Sequence, residues 1–301
     1  MRLSTFAPTM AAGILSVAAR GQQEVGLSGA LLLLGLLAFG FTVAVNVRAL
    51  ASWEDRDRRA APFVLFTWVA ACGVIGQRFH DASPTIASGL GLLAAVGFLG
   101  ALIVLARAVR MVGGPFAWDV TGSWLLAAVA VQSLAIASAT TPAGAATALV
   151  AMGLWVAGMA TYGGLIALIL RRIVRRHVGI EDLTPDYWIA MGALAISTVA
   201  ATQIRPIAIL APVIWAGAAV WIPYLCVVEA AQVRKRGLVV LYDALRWSTV
   251  FPLGMFSVAT FDLGIRPLEP VAVLFLWAGI LVAMWNLIAG AANLRRDQFV
   301  S

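Results

Sequence analysis

Apolar runs recur ten times along this chain, at approximately 5–20, 26–50, 61–78, 84–109, 119–139, 144–172, 186–204, 207–232, 246–263 and 268–293, with short loops between them. Repeated runs of that length leave few folds open. Each can cross a bilayer as a helix, because a helix bonds its own backbone polar groups where no water is present. With 62% hydrophobic and 12% charged residues and a mean hydropathy of +0.94, 301 residues do not supply the polar surface of a soluble protein. The expected fold class is an all-α polytopic membrane protein, with 1–301 as a single transmembrane domain of ten transmembrane helices.

The first run needs an argument of its own. MRLSTFAPTMAAGILSVAA has the basic start, apolar stretch and small residues of a signal peptide. Pro8, Thr9 and Gly13 interrupt it, however, and the same texture recurs downstream, so it reads as a membrane helix capped by Ser4 or Thr5. Thr184-Pro185-Asp186 reads as a cap, a first-turn proline and a first-turn acid opening the seventh helix.

The runs are of two kinds. The even ones are long and oily, such as ALLLLGLLAFGFTVAV; the odd ones are shorter and carry glycine, serine and threonine. The odd ones align as a weak repeat: GILS at 13–16, GVIG at 73–76, AVQS at 130–133, LAIS at 194–197 and GMFS at 254–257. Their last positions are 60, 57, 64 and 60 residues apart, a near-constant period that suggests five stacked or ringed helical hairpins. Gly13, Ser16, Gly73, Gly76, Ser133, Gly192, Ser197, Gly254 and Ser257 are thereby candidates to line a shared centre. Close helix packing is the other use of such small residues.

The ninth run, LRWSTVFPLGMFSVATFDLG at 245–264, is odd for a lipid-facing helix. Pro252 bends the helix and removes a donor, which is tolerated in lipid mainly where protein or a water-filled cavity covers the gap. The expectation is a pore-lining segment with Phe251 placed at the bend.

Charge sets the orientation. Of 21 basic residues, 17 fall at Arg2, in the loops after the even runs and in the tail; Arg20, Arg78, Arg205 and Arg266 fall on the other side. The positive-inside rule places both termini in the cytoplasm. The four outer arginines each follow the end of an odd run. They either ring an outer mouth and concentrate anions there, or snorkel to headgroups. The net charge of +7 is thus spread over short loops and does not mark a nucleic-acid partner.

Several functions are disfavoured. No Asp, Glu, Lys, Arg or His lies near the middle of an odd run, where a proton relay or charged ion site would need one. Asp119, Asp186, Glu229 and Asp262 sit near run ends, where capping or interfacial pairing accounts for them. Cys72, Cys226, His80 and His177 form no metal-ligand spacing, no cofactor motif is present, and no nucleophile–base pair suggests an enzyme. The 171–182 stretch, RRIVRRHVGIED, is a candidate docking loop or a solvated headgroup-facing one.

Four stretches carry a family resemblance: FAPTMAAGILS (6–16), GSWLLAAVAVQSLAI (122–136), PDYWIAMGALAIST (185–198) and WSTVFPLGMFSVAT (247–260). They resemble the tellurite-resistance/dicarboxylate transporter family, which includes bacterial tellurite-resistance proteins, yeast-type malate and sulfite transporters and plant slow anion channels. The opening helix departs from it, with Ala11-Ala12-Gly13 where relatives often have Ala-Thr-Gly. The resemblance implies five hairpins with the odd helices lining a quasi-five-fold central pore, and a homotrimer with one pore per protomer. It also implies a gate-forming phenylalanine, which falls on Phe251, beside Pro252. The expected function is passive conduction of small anions such as chloride, nitrate or malate across a bacterial plasma (inner) membrane. The alternative is a secondary, proton-coupled C4-dicarboxylate/malate transporter. No cofactor is expected, and the bilayer itself is the other partner.

Overall fold

The computed structural model describes residues 5–51, 61–112, 120–141, 144–176, 178–179, 183–236 and 246–300. Ser4, Asp119, His177, the end of the 171–182 stretch, Arg2, Arg56, Arg58 and Arg59 lie outside them. The described residues form ten α-helices and no strand: α1 Ala7–Gly21, α2 Val25–Ala51, α3 Ala61–Phe79, α4 Pro84–Val112, α5 Leu126–Thr140, α6 Ala145–Arg176, α7 Ile189–Gln203, α8 Ala211–Arg236, α9 Trp247–Asp262 and α10 Glu269–Val300. Short 3₁₀ segments open α5, α7, α8 and α10, at Gly122–Leu125, Pro185–Trp188, Arg205–Leu210 and Arg266–Leu268.

Among the described residues, seven helices are long and apolar enough to cross a membrane: α2, α3, α4, α5, α6, α8 and α10, with α5, α8 and α10 taken together with the 3₁₀ segments that open them. The other three, α1, α7 and α9, have 15, 15 and 16 residues, and α5 without its 3₁₀ start is as short, at 15. At 1.5 Å per residue they span about 22–24 Å, short of a hydrocarbon core of about 30 Å. Their burial accounts for this. Ile189 to Ala201 of α7 are buried without a break, and so are Thr249 to Thr260 of α9. A helix sheathed by other helices does not have to match the lipid thickness. The even helices instead expose leucines such as Leu33, Leu37 and Leu92, as a lipid-facing surface does.

The packing has a simple order. Each odd helix packs along the even helix that follows it. The odd helices also pack on one another in the cyclic sequence α1–α3–α5–α7–α9–α1. Glycines set several of these contacts. A Cβ on Gly13 would stand 2.9 Å from Val74 of α3, one on Gly73 the same distance from Ser133 of α5, one on Gly192 2.9 Å from Pro252 of α9, and one on Gly254 2.8 Å from Ile14 of α1. None of these positions has room for a side chain, so the glycines let residues of the neighbouring helix pack directly onto the helix backbone.

The ends at which α5 and α7 begin are tied by a polar clasp. Asp186 accepts from the Ser123 backbone N–H at 2.6 Å and its hydroxyl at 2.7 Å, and from the Thr184 hydroxyl. Asp186 therefore bridges two helix starts rather than serving its own helix alone. Thr184 holds the expected cap position, but no side-chain bond caps the backbone there, nor at the start of α1. Arg172 at the end of α6 donates to the Val120 carbonyl and the Tyr187 hydroxyl, which closes the same corner.

Gly192→Ala is expected to lower stability by about 1–3 kcal/mol, because its methyl meets the Pro252 ring and backbone between two buried helices. Gly153→Ala, with open space around it on α6, is expected to be neutral or slightly stabilising. Thermal unfolding of both variants in detergent checks the contrast.

Candidate functional site

Helix α9 has three occupied sides and a fourth that is different. Pro252 lies on Gly192 of α7. Gly254 lies on Ile14 and Leu15 of α1. Phe256 stacks on Trp215 of α8 and packs on Phe275 of α10, Thr260 accepts from the Trp215 indole N–H, and Ser257 donates to the Ala272 carbonyl of α10. At 3.6 residues per turn, Phe251, Met255, Val258 and Asp262 follow i, i+4, i+7 and i+11 spacing and form one stripe. The stripe lies between the α7 side and the α1 side, facing away from α8 and α10.

A cavity of about 310 Å³ opens at the end of this stripe. Val258, Phe261 and Asp262 line it from α9, Val17, Ala18, Arg20 and Gly21 from α1, and Gln77 and Arg78 from α3. Gln203 closes α7's side, and Asp81 and Ala82 come from the turn after α3. Four of the five odd helices thus converge on it; α5 does not. The cavity stops at the level of Val258. Below it, Met255 and Phe251 are 0% and 2% exposed, so no open path continues along the stripe.

The cavity carries two arginines and two carboxylates. Arg78 is half-buried, and its Nε donates to the hydroxyls of Ser16 (3.2 Å) and Ser28 (3.1 Å). Those serines bond reciprocally to each other's backbone carbonyls, at 2.7 and 2.8 Å, and so pin α1, α2 and α3 together. Arg20 is exposed at the end of α1. Asp262 and Asp81 stand in the same cavity, so its field is mixed rather than uniformly positive.

The nine small residues singled out in the sequence separate into groups. Gly13, Gly73, Gly192 and Gly254 sit between neighbouring odd helices, as described. Gly76 faces Ala87 and Leu90 of α4, within its own hairpin. Ser16 and Ser257 donate to backbone carbonyls of the following even helix, at Ser28 and Ala272. Ser133 and Ser197 donate to carbonyls four residues back in their own helices, Val129 and Ala193.

Of the four outer arginines, Arg20 and Arg78 line the cavity, and Arg205 and Arg266 do not. The chain geometry explains the split. Arg20 and Arg78 are still within α1 and α3. Arg205 follows the extended Ile204, and Arg266 follows Gly264 at φ +65° and the extended Ile265. Both therefore open the 3₁₀ turns that lead outward to α8 and α10. Asp81, Asp262, Gln77, Gln203, Met255 and Val258 are cavity or stripe residues that the sequence did not mark out. The spacing from Phe251 along α9 is the signal that would have found three of them.

A protein of this build is a multi-pass membrane protein. Its sequence matches the model of the voltage-dependent anion channel family over residues 1–291, and the chain belongs to that family, which takes in the tellurite-resistance proteins. Members of the family are anion channels and transporters rather than enzymes, and this chain is an anion-transport protein. It is also similar to uncharacterized membrane proteins from two strains of Mycobacterium tuberculosis. Each is 32% identical over 154 residues, covering 44% of this chain and 78% of the relative.

Arg20→Gln is expected to lower anion flux into proteoliposomes at low ionic strength and to matter less as salt shortens the screening length from about 30 Å at ~0.01 M to about 8 Å at ~0.15 M. Arg205→Gln and Arg266→Gln, which lie outside the cavity, are expected to change flux less under the same conditions. The three salt titrations, run side by side, check the assignment.

Proposed function

We propose that this protein is a passive anion channel whose conduit follows the axis enclosed by α1, α3, α5, α7 and α9, and that Phe251 closes it. The observation that carries the reading is the α9 stripe. It starts in a cavity open to solvent at Asp262 and Val258 and ends on a buried phenylalanine, while the other sides of α9 are taken by α1, α7, α8 and α10. Between Val258 and Phe251 the stripe carries no charged side chain. An uncharged wall suits an anion that must enter and leave without being trapped.

Pro252 gives the phenylalanine a hinge. The carbonyl of Ser248 lacks the helical donor that residue 252 would otherwise provide, so the helix can bend at this level. The Pro252 ring is held against Gly192, which fixes one side of the bend. Rotation of the Phe251 ring off the axis would then open the path with little rearrangement of the bundle.

The reading includes an orientation and an assembly. Both termini face the cytoplasm of a bacterium, with the protein in the inner membrane, because 17 of 21 basic residues belong to that side. Phe251 and Pro252 form the gate, and the Arg20–Arg78 cavity is the outer mouth. The protein is a homotrimer, following the family resemblance, with a conduit in each protomer. Chloride, nitrate and malate are the anions to try first.

One observation favours the alternative, a proton-coupled C4-dicarboxylate carrier. Asp262 is a carboxylate in the solute-accessible cavity, on the same stripe as Phe251. The two readings separate experimentally. Phe251→Ala is expected to raise anion current several-fold at normal expression, with a reversal potential that follows the anion gradient at any imposed pH gradient. Unchanged or lower current would remove the gate. Uptake of malate that requires a pH gradient, without current in either protein, would establish the carrier.

A further inference from the structure

A second recess lies on the opposite side of α9 and shares no residue with the cavity. It is a groove of about 520 Å³ between α8 and α10, with α9 and Trp188 as its floor. Most of its length is aliphatic, through Ile222, Leu253, Leu274 and Leu281. Leu274 and Leu281 are 63% and 64% exposed on the flank of the bundle, where lipid would lie.

The polar groups of the groove are gathered at one depth. Glu229, Arg246, Asn286 and Thr249, one turn along α9 from Arg246, supply them. Gly254 of α9 and Gly279 of α10 are neighbours, and these helices run antiparallel. Arg246 precedes Gly254 by eight residues and Asn286 follows Gly279 by seven, so both lie about 10–12 Å nearer the same end of the bundle. That is the end where α9 begins, and Asn286 lies six residues before the end of the apolar span of α10 at Ala292.

Two of these groups keep a buried nitrogen without a protein partner. Asn286 is 1% exposed, and its buried side-chain Nδ2 makes no hydrogen bond. Arg246 bonds Glu229 through Nη1 at 2.8 Å, but its buried Nε has no acceptor. A buried polar group without a partner is costly, and a ligand that satisfies it recovers that cost. Hydrocarbon beside the groove offers no hydrogen-bonding partner. The groove therefore fits an occupant with acceptor oxygens at one end and a long aliphatic body.

We propose that the groove is a binding site for one glycerophospholipid, with an acyl chain along Ile222, Leu253, Leu274 and Leu281 and its ester or phosphate oxygens at Arg246 and Asn286. Phosphate and ester oxygens are acceptors and suit the free Arg246 Nε. The Glu229–Arg246 pair keeps the arginine in place while leaving Nε for the ligand. A second copy of this chain fits less well. The flanks it exposes, such as Leu33, Leu37 and Leu92, would meet the aliphatic length but bring no acceptor to the polar end.

The test uses the full chain in vesicles of phosphatidylcholine with a minor fraction of phosphatidylglycerol whose acyl chain carries a diazirine. Adducts mapped by peptide mass spectrometry are expected to be several-fold enriched at Ile222, Leu274 and Leu281 over the equally lipid-exposed Leu33 and Leu92. Ala278→Phe fills the groove at mid-length and is expected to abolish that enrichment while flux and oligomeric state stay as in the wild type. Asn286→Leu, which removes the polar anchor without filling the groove, is expected to reduce it. Even labelling of all flanks in the wild type would overturn the site. So would loss of the wild-type oligomer in Ala278→Phe, which would mark the groove as a contact between copies. Flux read from the same vesicles keeps this outcome separate from that of the channel reading.

Discussion

Close approach of the odd helices at glycine is the contact on which the rest of the structure depends. At Gly13, Gly73, Gly192 and Gly254 the side chains of Val74, Ser133, Pro252 and Ile14 from the neighbouring helices seat against the bare glycine backbone. In lipid there is no hydrophobic drive to hold helices together, so association has to come from close packing and from polar groups inside the bundle. A side chain at any of these four positions would push two inner helices apart. The cavity at their far ends and the closed stripe below it would change with that spacing.

Two layers follow from this. The inner helices α1, α5, α7 and α9 have only 15 or 16 residues, and other helices rather than lipid sheathe them. The outer helices are long because they meet the bilayer directly. Hydroxyl groups in the inner layer are satisfied locally. Ser133, Ser197, Thr198 and Thr260 donate to carbonyls four residues back, and Ser16 and Ser257 donate to the adjoining even helix. Few hydroxyl donors are then left to face the proposed conduit. A wall that holds an anion weakly, entered through a mouth with arginines, is the electrostatic arrangement that conduction requires. Asp81 and Asp262 line the same cavity as Arg20 and Arg78, so its charge is mixed.

Much of the architecture was legible in the sequence, because apolar length is a one-dimensional property. The ten runs correspond to ten helices, and the contrast between oily even runs and polar odd ones anticipates the two layers. Direction was harder to read. The period that joins Gly13 to Gly254 and Ser16 to Ser257 cannot say which way those residues point, since a helix turns 100° per residue and its neighbours fix its rotation. The same small residues fit a pore lining or a packing seam on sequence alone. Their contacts are with neighbouring helices. Arg205 and Arg266 illustrate a second limit. They follow odd helices in the chain as Arg20 and Arg78 end them, but an extended residue before each, with a left-handed glycine before Ile265, carries them outward. Asp262 reads in the sequence as a group at a helix end; the i+11 spacing puts it on the Phe251 stripe, and the three-dimensional structure adds the cavity it lines.

The central claim is that the conduit runs along the Phe251 side of α9, and cysteine accessibility tests it most directly. Single cysteines would be placed along α9 from 251 to 262 in a protein whose Cys72 and Cys226 have been replaced, and current block by a membrane-impermeant thiol reagent would be measured. For the positions deeper than Val258, Phe251→Ala would be added to open the path. The account predicts block at 251, 255, 258 and 262, protection by permeant anions, and little effect at 252, 256 and 260. Block spread evenly along the helix, or strongest at 256 and 260, would place the path on another side of α9 and contradict it.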